Sequence, residues 1–153
     1  MYKRQLYLYV TVKKEIELKE EYSSIVAIDV GARWVAVSVA RHRNKPKFYG
    51  KKVRETRGKY FWLRRKLGRE KKQRAIKKIG DKERRIVNDE LHKIAKDIVD
   101  EAEKQDAIIA IGDLKGIRNH KKRGRKANRK VNSMPTHKLK EYIKYKALER
   151  GIL

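Results

Sequence analysis

Between Ile25 and Ile111 the spacing of the apolar residues changes repeatedly, and the order of those changes leaves few folds open. The run IVAIDV, residues 25 to 30, is almost unbroken and predicts a strand buried on both faces. Gly31 opens a turn, after which Val35, Val37 and Val39 alternate with smaller residues, the period of a second strand. HRNKPKFYG, His42 to Gly50, supplies another turn and a short third strand. From about Arg54 to Ile79 the composition is helical, with a thin stripe of Leu63, Leu67, Ile76 and Ile79 interrupted by Gly68. Gly80 and Asp81 combine a stop with an N-cap, which predicts an αα-hairpin at that point. Val87, Leu91, Ile94, Ile98 and Ala102 then recur every three or four residues, an amphipathic helix leading into the apolar strand Ala107 to Ile111. Strands on both sides of a helix pair imply one sheet with helices laid across it, so the expected class is α/β.

The two ends read differently. In LYLYVTVKKEIEL, residues 6 to 18, Leu6, Leu8, Val10, Val12, Ile16 and Leu18 share one phase of a period of two, which predicts a long strand or hairpin arm. Tyr7, Tyr9 and Thr11 take the other phase, to cover a second surface, to stack on bases or simply to satisfy β-propensity. KGIRNHKKRGRKANRKVNS, residues 115 to 133, has almost no apolar content and is expected to be a mobile basic loop. Pro135 and Thr136 start a last helix with Leu139, Ile143 and Ala147 on one side, and Gly151 ends it. Ile152 and Leu153 then read as the beginning of a further strand, at the point where the sequence stops.

Charge narrows the function. The chain of 153 residues carries a net charge of +25, with 41% charged residues, and such a chain repels itself unless a polyanion neutralises it. Nucleic acid fits best, because phosphate contacts gain affinity through counterion release. An anionic membrane surface is the rival. No apolar run spans a bilayer, and the start MYKRQLYLYV lacks a signal peptide's apolar core, which points to the cytoplasm. With no cysteine, neither a thiolate nucleophile nor a Cys-based zinc site is expected.

Five stretches, in order, carry a resemblance: IVAIDVGARWVAVSV, the basic helix, NDELHKIAKDIV, IIAIGDLKGI and LKEYIKYKALERGI. They resemble the RuvC-like nuclease core of the TnpB/OrfB proteins of bacterial and archaeal insertion sequences, relatives of type V CRISPR effectors. The resemblance implies an RNase H-like (RuvC-like) mixed sheet with flanking helices over residues 23 to 153, lacking its last strand, and makes residues 1 to 22 the end of a preceding oligonucleotide-binding domain. It also implies cleavage of DNA, guided or at transposon ends, by two Mg²⁺ ions about 4 Å apart held between three acidic positions. Asp29 matches the first, although an Asp capping the turn at Gly31 is the plain alternative. The second, a glutamate before an Asp-Leu pair, falls on Gly112. Asp113 is the neighbouring candidate, and since adjacent strand residues point to opposite faces it needs a bulge to turn inward. The third position and the family's zinc ribbon would follow Leu153.

Nucleic-acid contacts are expected from Arg57, Arg64, Arg65, Arg69 and Lys72 of the basic helix and from Lys121, Lys122, Arg123, Arg125, Lys126, Arg129 and Lys130 of the basic loop. Tyr60, Phe61 and Trp62 are read as anchors to the core, and His92 as a structural histidine at a helix–sheet seam. Asn88 and Asp89 cap or brace the helix pair. The expected protein is therefore a degenerate TnpB/OrfB-like domain that binds DNA or guide-like RNA without cutting as an isolated chain, with an unpaired sheet edge that invites a homodimer. Two alternatives stand beside it: an active Mg²⁺-dependent endonuclease whose site, Asp29 and Asp113, is completed by a partner chain, and a structural RNA-binding protein.

Overall fold

The computed structural model describes residues 8–43, 45–113 and 124–153. Three strands come first, β1 (Ser24–Asp29), β2 (Ala36–Ala40) and β3 (Lys47–Tyr49), followed by two helices, α1 (Lys51–Arg69) and α2 (Gln73–Lys104). Then come β4 (Ala107–Ile111), α3 (Arg125–Asn132) and α4 (Thr136–Leu148). The sheet order is β3-β2-β1-β4; β1 pairs antiparallel with β2 and parallel with β4, the connection that the α1–α2 crossover makes possible.

One face of the sheet holds the core. Val26 and Ile28 of β1, Ala36 and Ala40 of β2, Tyr49 of β3 and Ala107 of β4 pack under Val53 of α1, Leu91, Ala95 and Ile98 of α2, and Leu139 and Ile143 of α4. The β1 side chains alternate buried and exposed, which corrects the expectation of a strand buried on both faces. All helices that join this core lie on the same side, so Ile25, Ala27 and Asp29 face outward with Val39, Phe48 and Ala110. Leu91 is fully buried at the centre of the layer. Leu91→Ala is expected to lower stability by about 3 kcal/mol, read as a shift in the denaturation midpoint at constant slope.

Polar ties fix the helices to the sheet. Arg43, just after β2, donates to the Ser38 carbonyl at 2.6 Å, to Ser38 Oγ at 2.9 Å and to Glu101 of α2 at 2.6 Å. Glu101 is largely buried, so Arg43→Met leaves a carboxylate without its cation; a loss of about 2 kcal/mol in urea unfolding is expected, reduced in the double variant with Glu101→Leu. Gly50 joins β3 to α1 with φ of 92°, and a Cβ there would lie 2.3 Å from Val35 Cγ2, so the turn requires glycine.

Three other expectations change. The hairpin break falls at residues 70–72, where Lys71 adopts φ of 54°, and α2 runs straight through Gly80 and Asp81. Part of the expected basic loop is the helix α3, whereas residues 114–123 lie outside the described residues. Residues 8–22 form no strand: Leu8, Val10 and Val12 are exposed, and the segment is held by the Lys19 N–H on the Gly151 carbonyl at 2.9 Å and the Lys14 ammonium on the Glu149 carbonyl at 3.1 Å. Gly151, with φ of 71°, allows that approach, since a Cβ would meet the Glu17 carbonyl at 2.5 Å. On the outer edge of β4 the Leu153 carbonyl accepts a hydrogen bond from the Ile109 N–H at 2.9 Å. No helix among the described residues is long and apolar enough to cross a membrane.

Candidate functional site

The parallel pairing of β1 and β4 builds the strand end singled out in the sequence. Ile28 is in register with Ile111, and the Gly112 N–H donates to the Ile28 carbonyl at 3.0 Å, which sets Gly112 beside Asp29. A Cβ at Gly112 would stand 4.0 Å from Asp29 Oδ1 and 3.7 Å from the Ile28 oxygen, an ordinary contact distance. A longer acidic side chain at this position would therefore share the outer face of the sheet with Asp29. Glycine supplies no ligand there.

Asp113 lies elsewhere. Its carboxylate is 3.6 Å from the ammonium of Lys140 on α4, the helix layer, as strand alternation after Gly112 requires. No bulge brings it round to Asp29. Among the described residues no group of three or more His, Cys, Asp or Glu side chains could hold a metal ion, so Asp29 and its surroundings do not fit the two-Mg²⁺ centre that the resemblance implies. The Asp29 carboxylate is exposed, and no hydrogen bond or ion pair engages it among the described residues.

The basic residues sort into structural and available groups. Arg57 is half-buried and donates to the Ser133 carbonyl, and burial pulls its guanidinium below the ordinary arginine value; it ties α1 to the segment before α4. Arg64 pairs with Glu83 of α2, closing the hairpin, and Lys72 pairs with Glu70 at 2.8 Å. Arg65 and Arg69 are exposed. Arg125 is exposed at the start of α3, and the exposed Arg129 lies with its guanidinium 4.1 Å from the Phe61 ring centroid, joining α3 to α1. Lys121, Lys122 and Arg123 lie outside the described residues, as do the side chains of Lys126 and Lys130.

Tyr60 is the aromatic anchor expected at the start of the basic helix, but Trp62 is 64% exposed, with the Arg65 guanidinium 5.6 Å from its ring. Trp62 therefore belongs to the basic surface and not to the core. His92 sits at a seam between α2 and α4, not between helix and sheet: its ring stacks on Tyr142 at 3.8 Å and its Nδ1 is 3.2 Å from the Tyr145 hydroxyl. Burial, followed by the Lys146 and Lys138 ammonium groups, holds the imidazole below its usual range. Sequence reasoning did not single out Lys138, Tyr142 and Tyr145, although their spacing of four and three residues places them on one face of α4.

With this geometry in hand, no family model matches the sequence. The chain is 41% identical over 63 residues to a TnpB-like protein of Aquifex aeolicus (strain VF5), a match covering 39% of the chain and 21% of that protein. It is 26% identical over 162 residues to the CRISPR-associated endodeoxyribonuclease Cas12f2 of a Micrarchaeota archaeon (strain CG1_02_47_40), covering 98% of the chain and 30% of that protein. The chain thus spans less than a third of the length of these curated relatives. Among solved structures it is similar to a Cas12f1–sgRNA–target DNA complex, with a TM-score of 0.64 and 19% identity over 88% of the chain and 35% of that structure's chain. It is also similar to a CRISPR-Cas12f ternary complex, with a TM-score of 0.65 and 18% identity over 92% of the chain and 30% of that structure's chain. The sequence is thus similar to TnpB-like and Cas12f2 proteins, and the mixed sheet with flanking helices is a fold it shares with the Cas12f chains.

Proposed function

From a chain similar to TnpB-like and Cas12f proteins, we propose a transposon-associated, nucleic-acid-binding RuvC-like domain that does not cleave as an isolated chain. Gly112 carries this reading: the backbone sets it beside Asp29, where the resemblance calls for a glutamate, and Asp113 is turned to Lys140. The partners are DNA, guide-like RNA or both, in keeping with the nucleic acids named in the Cas12f1 complex. The cytoplasm is the expected compartment. Mg²⁺ enters only where another chain or segment completes the site, and then Asp29 is the ligand this chain contributes.

A second reading keeps activity through such a completion, and the exposed apolar residues around Asp29, Ile25, Val39 and Phe48, favour it by leaving a sheet face open to further protein. A homodimer through the part of the β4 edge that Leu153 leaves uncovered is one way to supply it. Binding of labelled DNA and RNA, measured with Mg²⁺ and with a chelator, tests the first reading. Equal affinities in both, unchanged by Asp29→Ala, are expected. Affinity that falls at least tenfold on chelation would place metal in the binding step and overturn it.

A further inference from the structure

A cavity of about 300 Å³ opens between the α1–α2 hairpin and the start of α4, away from Asp29. Its walls carry Arg57, Arg84, Asn88 and Lys138, and Val87 and Leu91 contribute to its lining. The one acidic residue that lines it, Glu83, is already paired with Arg64. Arg57 is half-buried; it donates to the Ser133 carbonyl, while its Nε is buried and without a partner among the described residues, so this cation is screened poorly by water. Pro135 brings the first turn of α4 to the cavity, and that helix begins without a side-chain cap and without an acidic residue. The first amide N–H groups of a helix have no partner within it, and the end they form is positive. Arg84 also reaches Asp81 at 2.8 Å in an exposed pair, so three cations and an uncapped helix start stand around one space against a single lining carboxylate, Glu83, which Arg64 holds.

We propose that this cavity holds a phosphate of a bound nucleic-acid strand, gripped by Arg84, Lys138 and the amide N–H groups at the start of α4, with Arg57 behind them. The assignment rests on the nucleic-acid-binding reading and deepens it. What lies next to the cavity fits a strand better than a small anion. The Lys138 ammonium is 5.9 Å from the Tyr142 ring centroid, and Tyr142 stacks on His92. Arg84, Asn88 and His92 lie four residues apart along α2, facing Lys138 and Tyr142, four apart along α4. Phosphate site and aromatic pair therefore follow one another along the line where α2 meets α4, in the order in which single strands use cations for backbone and rings for bases.

The test compares the full chain, the Arg84→Gln/Lys138→Gln variant and an Arg65→Gln/Arg69→Gln variant at the hairpin. Affinity for a 20-nucleotide single strand is measured against salt, with amide resonances of Thr136, His137 and Lys138 followed during titration with the strand and, separately, with inorganic phosphate. Both substituted side chains at the cavity are exposed, so circular dichroism is expected to stay unchanged. Roughly tenfold weaker binding at the cavity variant, a salt slope lower by about one, and shifts at all three amides with the strand are expected. Unchanged affinity and unshifted amides at the cavity, with binding lost at the hairpin variant, would overturn the cavity and leave nucleic-acid binding standing. Shifts with inorganic phosphate alone would overturn the strand as ligand. No binding by the unaltered chain would overturn the functional reading itself.

Discussion

Replacing Arg65, Lys66, Arg69 and Arg74 together by glutamine is expected to weaken binding to a 20-nucleotide strand by about a hundredfold at about 0.1 M salt and to lower the salt slope by about three. The hairpin of α1 and α2 is the reason. Between Lys59 and Ile86 it carries thirteen Lys and Arg residues against three acidic ones. Those three are already engaged, Glu70 with Lys72, Asp81 with Arg84 and Glu83 with Arg64. The four chosen side chains are exposed and have no ion pair among the described residues, so like charges crowd one surface until phosphate relieves them. Val53 and Tyr60 are the buried residues of α1, and in α2 burial begins at Val87, so these substitutions leave the core untouched. The measurement is fluorescence anisotropy across a salt series. A loss under threefold, with the slope unchanged, would move binding away from the hairpin.

Gly112→Glu is expected to create a divalent-ion site where the chain has a single carboxylate. The Cβ meets no clash, and the new carboxylate joins Asp29 on the outer face of the sheet. Without metal, two carboxylates side by side repel, and the variant is expected to melt a few degrees below the unaltered chain. With Mg²⁺ or Mn²⁺ the order reverses, because an ion bound only by the folded state adds stability with its concentration. An apparent affinity for Mn²⁺ at least tenfold above that of the unaltered chain, abolished by adding Asp29→Ala, is the expected calorimetric result. If the ion stabilises both chains equally, Gly112 does not occupy the place of a ligand.

The strand end was legible because its evidence is local. Parity alone separates Gly112 from Asp113, and the structure keeps that parity, with Gly112 at Asp29 and Asp113 at Lys140. The helical stripe Leu91, Ile94 and Ile98 was equally readable, since burial of one face leaves a period in the sequence. What periodicity cannot report is the partner. Residues 8–18 alternate as a strand does, yet no sheet edge receives them, and Leu8 and Val12 remain exposed. Gly80 looked like a stop, but a single glycine costs a helix only about 1 kcal/mol, less than the packing of α2 beyond it supplies. The true break, at Lys71 with positive φ, uses a residue that carries no turn signal. The cavity was illegible for a related reason: Arg57, Arg84 and Lys138 come from three helices, and only the fold makes them neighbours.

Cleavage is the most direct measure of the central claim. Labelled single- and double-stranded DNA would be incubated with the purified chain and its Asp29→Ala variant across a Mg²⁺ and Mn²⁺ titration. Salt-sensitive binding with no cut that depends on Asp29 is the predicted result, and leaves a nucleic-acid-binding domain whose ligand position at Gly112 is empty of carboxylate. Metal-dependent cutting by the unaltered chain that disappears with Asp29→Ala would contradict it, and would mean that a second copy or a further segment completes the site.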